Sequence, residues 1–175
     1  GGGNPASEPF DGASFRAVLE GRSDQHRDYV YGMHNNLPEG PAYPIRTITD
    51  GEYRYIRNLT PGELYIEKHL MGTRGNGALN NPYWGTWTWD TQQNPATYQL
   101  VKRYMLRPAE QLYHTAKDRY EMQNLAGDAG QVERKQRLAE ALGMWMVSQG
   151  DPGIDQDTQP SLESARRGQH RYYPG

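Results

Sequence analysis

The sequence has no cysteine. Disulfides and thiolate zinc sites are therefore excluded, and the redox compartment stays open. Phenylalanine is nearly absent too, with 2 residues against 13 tyrosines and 4 tryptophans. Hydrophobic residues make up only 35% of the chain and mean hydropathy is −0.98. No apolar run approaches the roughly 18 residues that a membrane span requires, so no membrane partner is expected. The opening residues carry no signal-peptide pattern, which for a fragment says nothing about export of the parent. Excess charge is lacking as well: the net charge of −2 argues against a nucleic-acid partner. The five histidines, at 26, 34, 69, 114 and 170, include no pair at the helical spacing of a metal site. No serine lies in a G-x-S-x-G context, and the Glu63/Glu67 and Glu133/Glu140 pairs read as solvated helix faces. The sequence offers no catalytic residue and no metal ligand set of its own.

What is abundant is tyrosine, glycine (20) and proline (12). Tyrosine buries area while keeping a hydroxyl near water or a partner, so thin layers or a docking face are expected. Residues 1–10 read as a flexible entry, and 11–21 as one short helix closed by Gly21. Tyr29-Val30-Tyr31 suits a strand. Residues 43–49 and 53–58 are β-rich runs around Asp50-Gly51, a type I′ hairpin signal. Thr60-Pro61-Gly62-Glu63 has the pattern of a helix start, running to about Gly72. Asn94-Pro95 opens a helix to about Met105, with Leu100/Tyr104 and Val101/Met105 as four-apart pairs. Pro108 bars its continuation, and Leu112-Tyr113 suits a buried strand. Asp118 and Glu121 form a capping box for a short helix that Asn124 can end. A last helix follows Asp128 over 130–149. Its stripe is Leu138, Leu142 and Trp145, and its solvent side Glu133, Arg134, Lys135 and Arg137. The fold class is α+β: a small antiparallel sheet of about four strands, covered on one face by helices and packed against the C-terminal helix. Three parts follow: 1–42 as linker, short helix and strand; 43–150 as the α+β body; 151–175 as a polar tail, loosely docked or disordered.

Five residues are candidates for ligand contact. His34 and Asn35 end the first strand and open a Gly/Pro loop, where polar side chains reach a site, although Asn-Asn is also ordinary turn chemistry. Arg46 lies inside a half-buried strand and needs an acceptor, with Glu52 or a group outside the chain as its partner, or else an anionic ligand. Trp84 and Trp87 belong to Tyr83-Trp84-Gly85-Thr86-Trp87-Thr88-Trp89, where aromatic residues alternate with small or polar ones. Exposed, such a row is a sugar-stacking platform; as a strand, it is a buried aromatic face, and burial is the favoured reading. Asn58-Leu59-Thr60 is a formal glycosylation sequon, read as chance.

The stretches RPAEQLYHT (107–115) and DRYEMQNLA (118–126) resemble the C-terminal subdomain of the formylglycine-dependent, type I sulfatases of the alkaline phosphatase superfamily. Within that family they are most similar to the sulfamidase (N-sulfoglucosamine sulfohydrolase) type. Asp11-Gly12-Ala13-Ser14-Phe15, Arg27–Gly32, Tyr43-Pro44-Ile45-Arg46 and Tyr53–Leu59 extend the resemblance in order. It implies a four-stranded antiparallel sheet with a C-terminal helix, and places the Tyr29 strand at the edge of the parent's larger catalytic sheet. It also places the His34 loop near the mouth of the active-site pocket. His114 and Arg119 depart from the family's Asp and Pro. The chain holds no C/S-x-P-x-R motif, and neither the paired aspartates nor the Asp-Asn calcium pair. The resemblance thus implies a fragment whose partner is the N-terminal sulfatase catalytic domain. Calcium and formylglycine would belong to that parent, and a sulfated oligosaccharide of heparan type, a glycosaminoglycan, would be its substrate. A typical parent is periplasmic, secreted or lysosome-like. The alternative is a stand-alone glycan-binding or structural interaction module using the Trp84–Trp89 row.

Overall fold

The computed structural model describes residues 12–167; the predicted flexible entry of residues 1–10 lies outside them. Four strands, β1 (Val30–His34), β2 (Ile45–Thr49), β3 (Tyr53–Asn58) and β4 (Glu110–His114), form one antiparallel sheet in the order β1-β2-β3-β4. Six α-helices are described: α1 (Arg16–Leu19), α2 (Lys68–Met71), α3 (Pro82–Asp90), α4 (Pro95–Met105), α5 (Val132–Ser148) and α6 (Gln159–Arg166). The fold is α+β. No described helix is long and apolar enough to cross a membrane.

The hairpin forms where expected, with its loop displaced by one residue. Asp50 N–H donates to Tyr53 O at 3.2 Å, so the two loop residues are Gly51 and Glu52. Gly51 supplies a φ of +93°, and the Asp50 carboxylate accepts from the N–H of Glu52 and of Tyr53. β1 pairs with β2 over its whole length, Val30 opposite Thr49 and His34 opposite Ile45. Among the described residues the strand assigned to the parent's sheet is thus the outer strand of the small one, with no pairing on its other edge.

Helices cover both faces of the sheet, where the sequence suggested one. On one face Ile48, Tyr53, Tyr55 and Leu112 meet Leu138, Ala141 and Leu142 of α5. Burying each leucine contributes about 1.5–3 kcal/mol. Trp145 stacks flat on Tyr31, centroids 4.9 Å apart, and ties α5 to β1. On the other face Ile45 and Ile56 pack with Tyr43, Tyr65 and Tyr104. The cause is the long excursion between β3 and β4, which returns across the face that α5 leaves open. The cations expected on the solvent side of α5 also hold the sheet. Arg134 lies 3.7 Å over the Tyr53 ring, Lys135 pairs with Glu110 at 3.0 Å, and Arg137 donates to Asp50 at 2.8 Å.

Four local expectations fail. Thr60 closes only a turn, through its carbonyl and the Glu63 N–H, because Tyr65 N–H donates to Met105 O and its ring joins the second core. Residues 82–90 form a helix, not a strand, capped by the Asn81 side chain with Pro82 in the first turn. Asp118 starts no helix; its carboxylate accepts from Met122 and Gln123 N–H instead, and Glu121, not Asn124, takes the positive φ. The polar tail is docked at residues 151–157. Asp151 joins Arg46 in a buried pair, and the Asp157 carboxylate accepts from the N–H of Asn36, Leu37 and Tyr43.

Gly40 marks the tightest backbone approach. A Cβ there would stand 1.9 Å from Ile66 O and 2.5 Å from Asn36 Nδ2. That amide is already committed to Pro41 O and Ile66 O. Gly40→Ala must push the loop off the Ile66 backbone and is expected to cost about 3 kcal/mol, read as a lowered urea midpoint with an unchanged slope. A midpoint equal to wild type would show that the two segments are not in contact in solution.

Candidate functional site

A well-formed cavity of about 510 Å³ lies on the sheet face opposite α5. Its walls are α3, α4, the exposed face of β3–β4 and the loop at 120–122. This volume falls within the roughly 300–1,000 Å³ of small-ligand clefts. Trp84, Trp87, Tyr104 and Tyr120 supply the aromatic surface, and Arg103, Arg107, Gln111 and Tyr113 the polar groups.

Two Asn-Pro caps build it. Asn81 starts α3 and Asn94 starts α4, each by accepting backbone N–H groups on its side-chain oxygen. Helix geometry then turns Trp84 inward, 8% exposed, and leaves Trp87 at the rim, 46% exposed. The two rings meet edge to face at 6.4 Å.

The polar groups are fixed in sequence. Asn58 Nδ2 donates to Pro108 O and to Gln111 Oε1, which orients the Gln111 amide. Gln111 Nε2 donates to Tyr113 Oη at 2.6 Å, and Arg103 Nη2 donates to the same oxygen at 3.3 Å. Tyr113 is 1% exposed. Its hydroxyl accepts twice, and among the described residues nothing accepts its own proton. Arg103 spends its other bonds on the carbonyls of Glu121 and Met122, fixing the loop that closes the pocket. Arg107 is different. Its guanidinium lies 3.9 Å over the Tyr65 ring and its Nε donates to Tyr104 O. Neither Nη has an acceptor among the described residues, and no carboxylate there pairs with it. Burial raises the Tyr65 and Tyr104 hydroxyls above the usual phenol range, against the pull of Arg107, so both stay neutral. Glu121, the one acidic side chain on the wall, is bound to Arg54 at 2.6 Å. The pocket is aromatic, locally positive and rich in donors without acceptors.

Of the five predicted contacts, Trp84 and Trp87 line this pocket. His34, Asn35 and Arg46 gather elsewhere, at the end of β1. Arg46 is fully buried, and every nitrogen of its guanidinium is bonded: to Asp151, Asn35 Oδ1 and the carbonyls of His34, Ile45 and Gly153. Asp151, not Glu52, is its partner; Glu52 lies 3.3 Å from His114. No donor of Arg46 is left for a ligand. His34 remains exposed at the strand end. Asn58 is 3% exposed with its amide engaged, so the sequon is closed to glycosylation. Sequence reasoning missed Arg107, Gln111 and Tyr113. Arg107 lies in the very motif RPAEQLYHT, but nothing local says which face of β4 a helix will cover.

For a cation, one described group is compact enough: ligand atoms of Glu39, Glu67 and His69 lie within 4.8 Å of one another. Protein contacts already account for it. Glu67 caps α2 through the N–H of His69 and Leu70, and Glu39 pairs with His69 Nε2.

The geometry thus places an aromatic, cationic pocket on an α+β scaffold. The chain is similar to the ulvan-active sulfatase of Formosa agariphila (strain DSM 15362 / KCTC 12365 / LMG 23005 / KMM 3901 / M-2Alg 35-1), with 29% identity over 151 residues. The match covers 85% of this chain and 27% of that protein, so the chain spans about a quarter of its relative's length. No family model matches the chain. The resemblance to sulfatases is thereby supported along most of the chain.

Proposed function

We propose that this chain is the C-terminal subdomain of a formylglycine-dependent sulfatase that hydrolyses sulfate groups on a glycan. The observation that carries the proposal is the match to a sulfatase over 85% of the chain. Its four-stranded antiparallel sheet with the long helix α5 agrees with the arrangement the resemblance implies. The chain covers 27% of the relative, which leaves room there for a separate catalytic portion. In this reading an N-terminal catalytic domain is the partner. Formylglycine would supply the nucleophile and calcium would balance the sulfate charge, both held by residues outside this chain. Trp87 and His34 are the predicted contacts that face solvent, and they would serve the substrate rim. The relative's name points to ulvan and the sulfamidase resemblance to heparan-type N-sulfate; the shared chemistry is a sulfate carried by a polysaccharide.

The test is sulfate release by the complete gene product, matured to formylglycine, from ulvan and from N-sulfated heparan oligosaccharides. Release by that protein and none by the 175-residue chain is expected, with a C/S-x-P-x-R motif encoded upstream. Absence of that motif, or no release from any sulfated glycan, would overturn the reading.

A further inference from the structure

We propose that the pocket between α3, α4 and β3–β4 binds an anionic sugar unit, with Arg107 and Tyr113 taking its sulfate or carboxylate and Trp87 stacking on its ring. The inference rests on the glycan reading above and names the groups that would recognise the glycan.

Three observations converge on it. The first is donor excess. Both Nη groups of Arg107 and the hydroxyl proton of Tyr113 lack protein acceptors among the described residues, and both side chains line one cavity. The Tyr113 donor is buried and costly to leave unpaired, and the half-buried Arg107 fork opens on the same cavity, so the site favours a ligand rich in acceptor oxygens. A sulfate or carboxylate meets that need, and a guanidinium binds either one in bidentate fashion. The second is pre-organisation. Arg107 is stacked on Tyr65 at 3.9 Å, which fixes the plane of its fork before any ligand arrives. Tyr113 is held by Gln111 and Arg103, and Gln111 by Asn58. The third is the wall. Trp87 is half exposed at the rim, braced by Trp84, and Tyr120 is 77% exposed across the opening. A sugar ring between them would cover apolar area that water now meets.

The charge around the pocket agrees. Arg103 and Arg107 face it, while Glu121, the acid on its lining, is bound to Arg54 on the neighbouring strand. Arg103 acts at one remove: it holds the Glu121–Met122 carbonyls and the Tyr113 oxygen, and so positions the wall instead of meeting the ligand.

The experiment is calorimetric titration of the 175-residue chain with a heparin-derived tetrasaccharide and with an ulvan-derived one. Three control probes accompany them: desulfated tetrasaccharide with its uronates intact, desulfated and carboxyl-reduced tetrasaccharide, and inorganic sulfate. A sulfated probe is expected to bind at least about tenfold more tightly than the neutral one and than free sulfate. The uronate-only probe separates the two anion sources. Equal binding of it assigns the site to carboxylate, and weaker binding assigns it to sulfate. Arg107→Gln should weaken binding of the preferred probe about tenfold or more, Tyr113→Phe less, and Trp87→Ala should weaken all saccharides alike. Arg107→Lys, which keeps charge but loses the fork, should fall between wild type and Arg107→Gln, and near-UV circular dichroism of each variant checks the fold. Equal affinity for the neutral probe, no measurable binding of any saccharide, or a folded Arg107→Gln that binds like wild type would overturn the proposal. Sulfate release by the complete protein tests the sulfatase reading separately. Hydrolysis with no binding at this pocket sinks only this inference, and binding with no hydrolysis sinks only the other.

Discussion

Asp151→Ala is expected to destabilise the fold by about 3–5 kcal/mol. The carboxylate meets the Arg46 guanidinium through two bonds, Nε to Oδ2 at 2.5 Å and Nη2 to Oδ1 at 2.9 Å. The side chains are 0% and 2% exposed. Removing the acid leaves a full charge in the interior with only neutral oxygens around it, and desolvation of that charge, more than the lost attraction, sets the cost. Urea unfolding measures it directly. A double replacement, Arg46→Met with Asp151→Leu, should recover most of the loss, because it removes both charges at once. The pair also fixes an acid limit. Burial alone would raise the Asp151 pKa, but the bonds from Arg46 and the Gly153 N–H outweigh it and hold the carboxyl below its ordinary value. A depressed folded-state pKa gives stability that is complete above the unfolded value of about 3.9 and is lost as pH falls through the folded one. Wild type should therefore lose stability below about pH 4 through this group, and Asp151→Ala should lack that component. A cost under about 1 kcal/mol would show that residues 151–157 do not dock in solution.

Asp157→Ala should be nearly as severe, about 3–4 kcal/mol, or roughly 10 °C in Tm. One carboxylate, 2% exposed, accepts three backbone N–H groups: Asn36 at 2.7 Å, Leu37 at 3.0 Å and Tyr43 at 2.6 Å. These N–H groups belong to the loop between β1 and β2, which has no sheet partner for them. Without the acid each must find water or stay unpaired, at about 1–3 kcal/mol apiece. Asp157→Asn should cost less, since its amide oxygen still accepts. Asp151 and Asp157 fasten the same segment, so their effects should not add: once one anchor is gone the segment can peel away and expose the other. A double variant as costly as the sum would mean that the two anchors hold independent pieces.

Much of the fold was legible in local signals. The strands around Asp50-Gly51, the β4 strand after Pro108, the Asn94-Pro95 helix and the Leu138/Leu142/Trp145 stripe all stand where turn chemistry and periodicity put them. These signals act within a few residues, so the chain displays them before it folds. The errors have separate causes. Asn81-Pro82 carries the same cap as Asn94-Pro95, yet alternating aromatic residues masked it, and a row expected along a strand is wound on a helix. Thr60-Pro61 and Asp118/Glu121 are cap patterns that start no helix: Met105 O takes the Tyr65 N–H in one case, and in the other the Asp118 carboxylate turns to the amides four and five residues on.

The sequence by itself determined the composition of the sheet, its most consequential turn and the helix that seals one face, because hydrophobic periodicity and capping are local. It also carried the sulfatase resemblance, since a motif is an order of residues. Only the tertiary structure decided that the second face is covered and that the polar tail is buried through two aspartates. It also decided that Arg46 is a structural cation and that Arg107 has no carboxylate partner among the described residues. Each has a carboxylate three or four residues on, Asp50 after Arg46 and Glu110 after Arg107, yet neither is its partner, so local spacing does not mark the difference. Which one finds an acid depends on a residue 105 positions away, and long-range pairing of that kind is fixed by packing, not by neighbours in the chain.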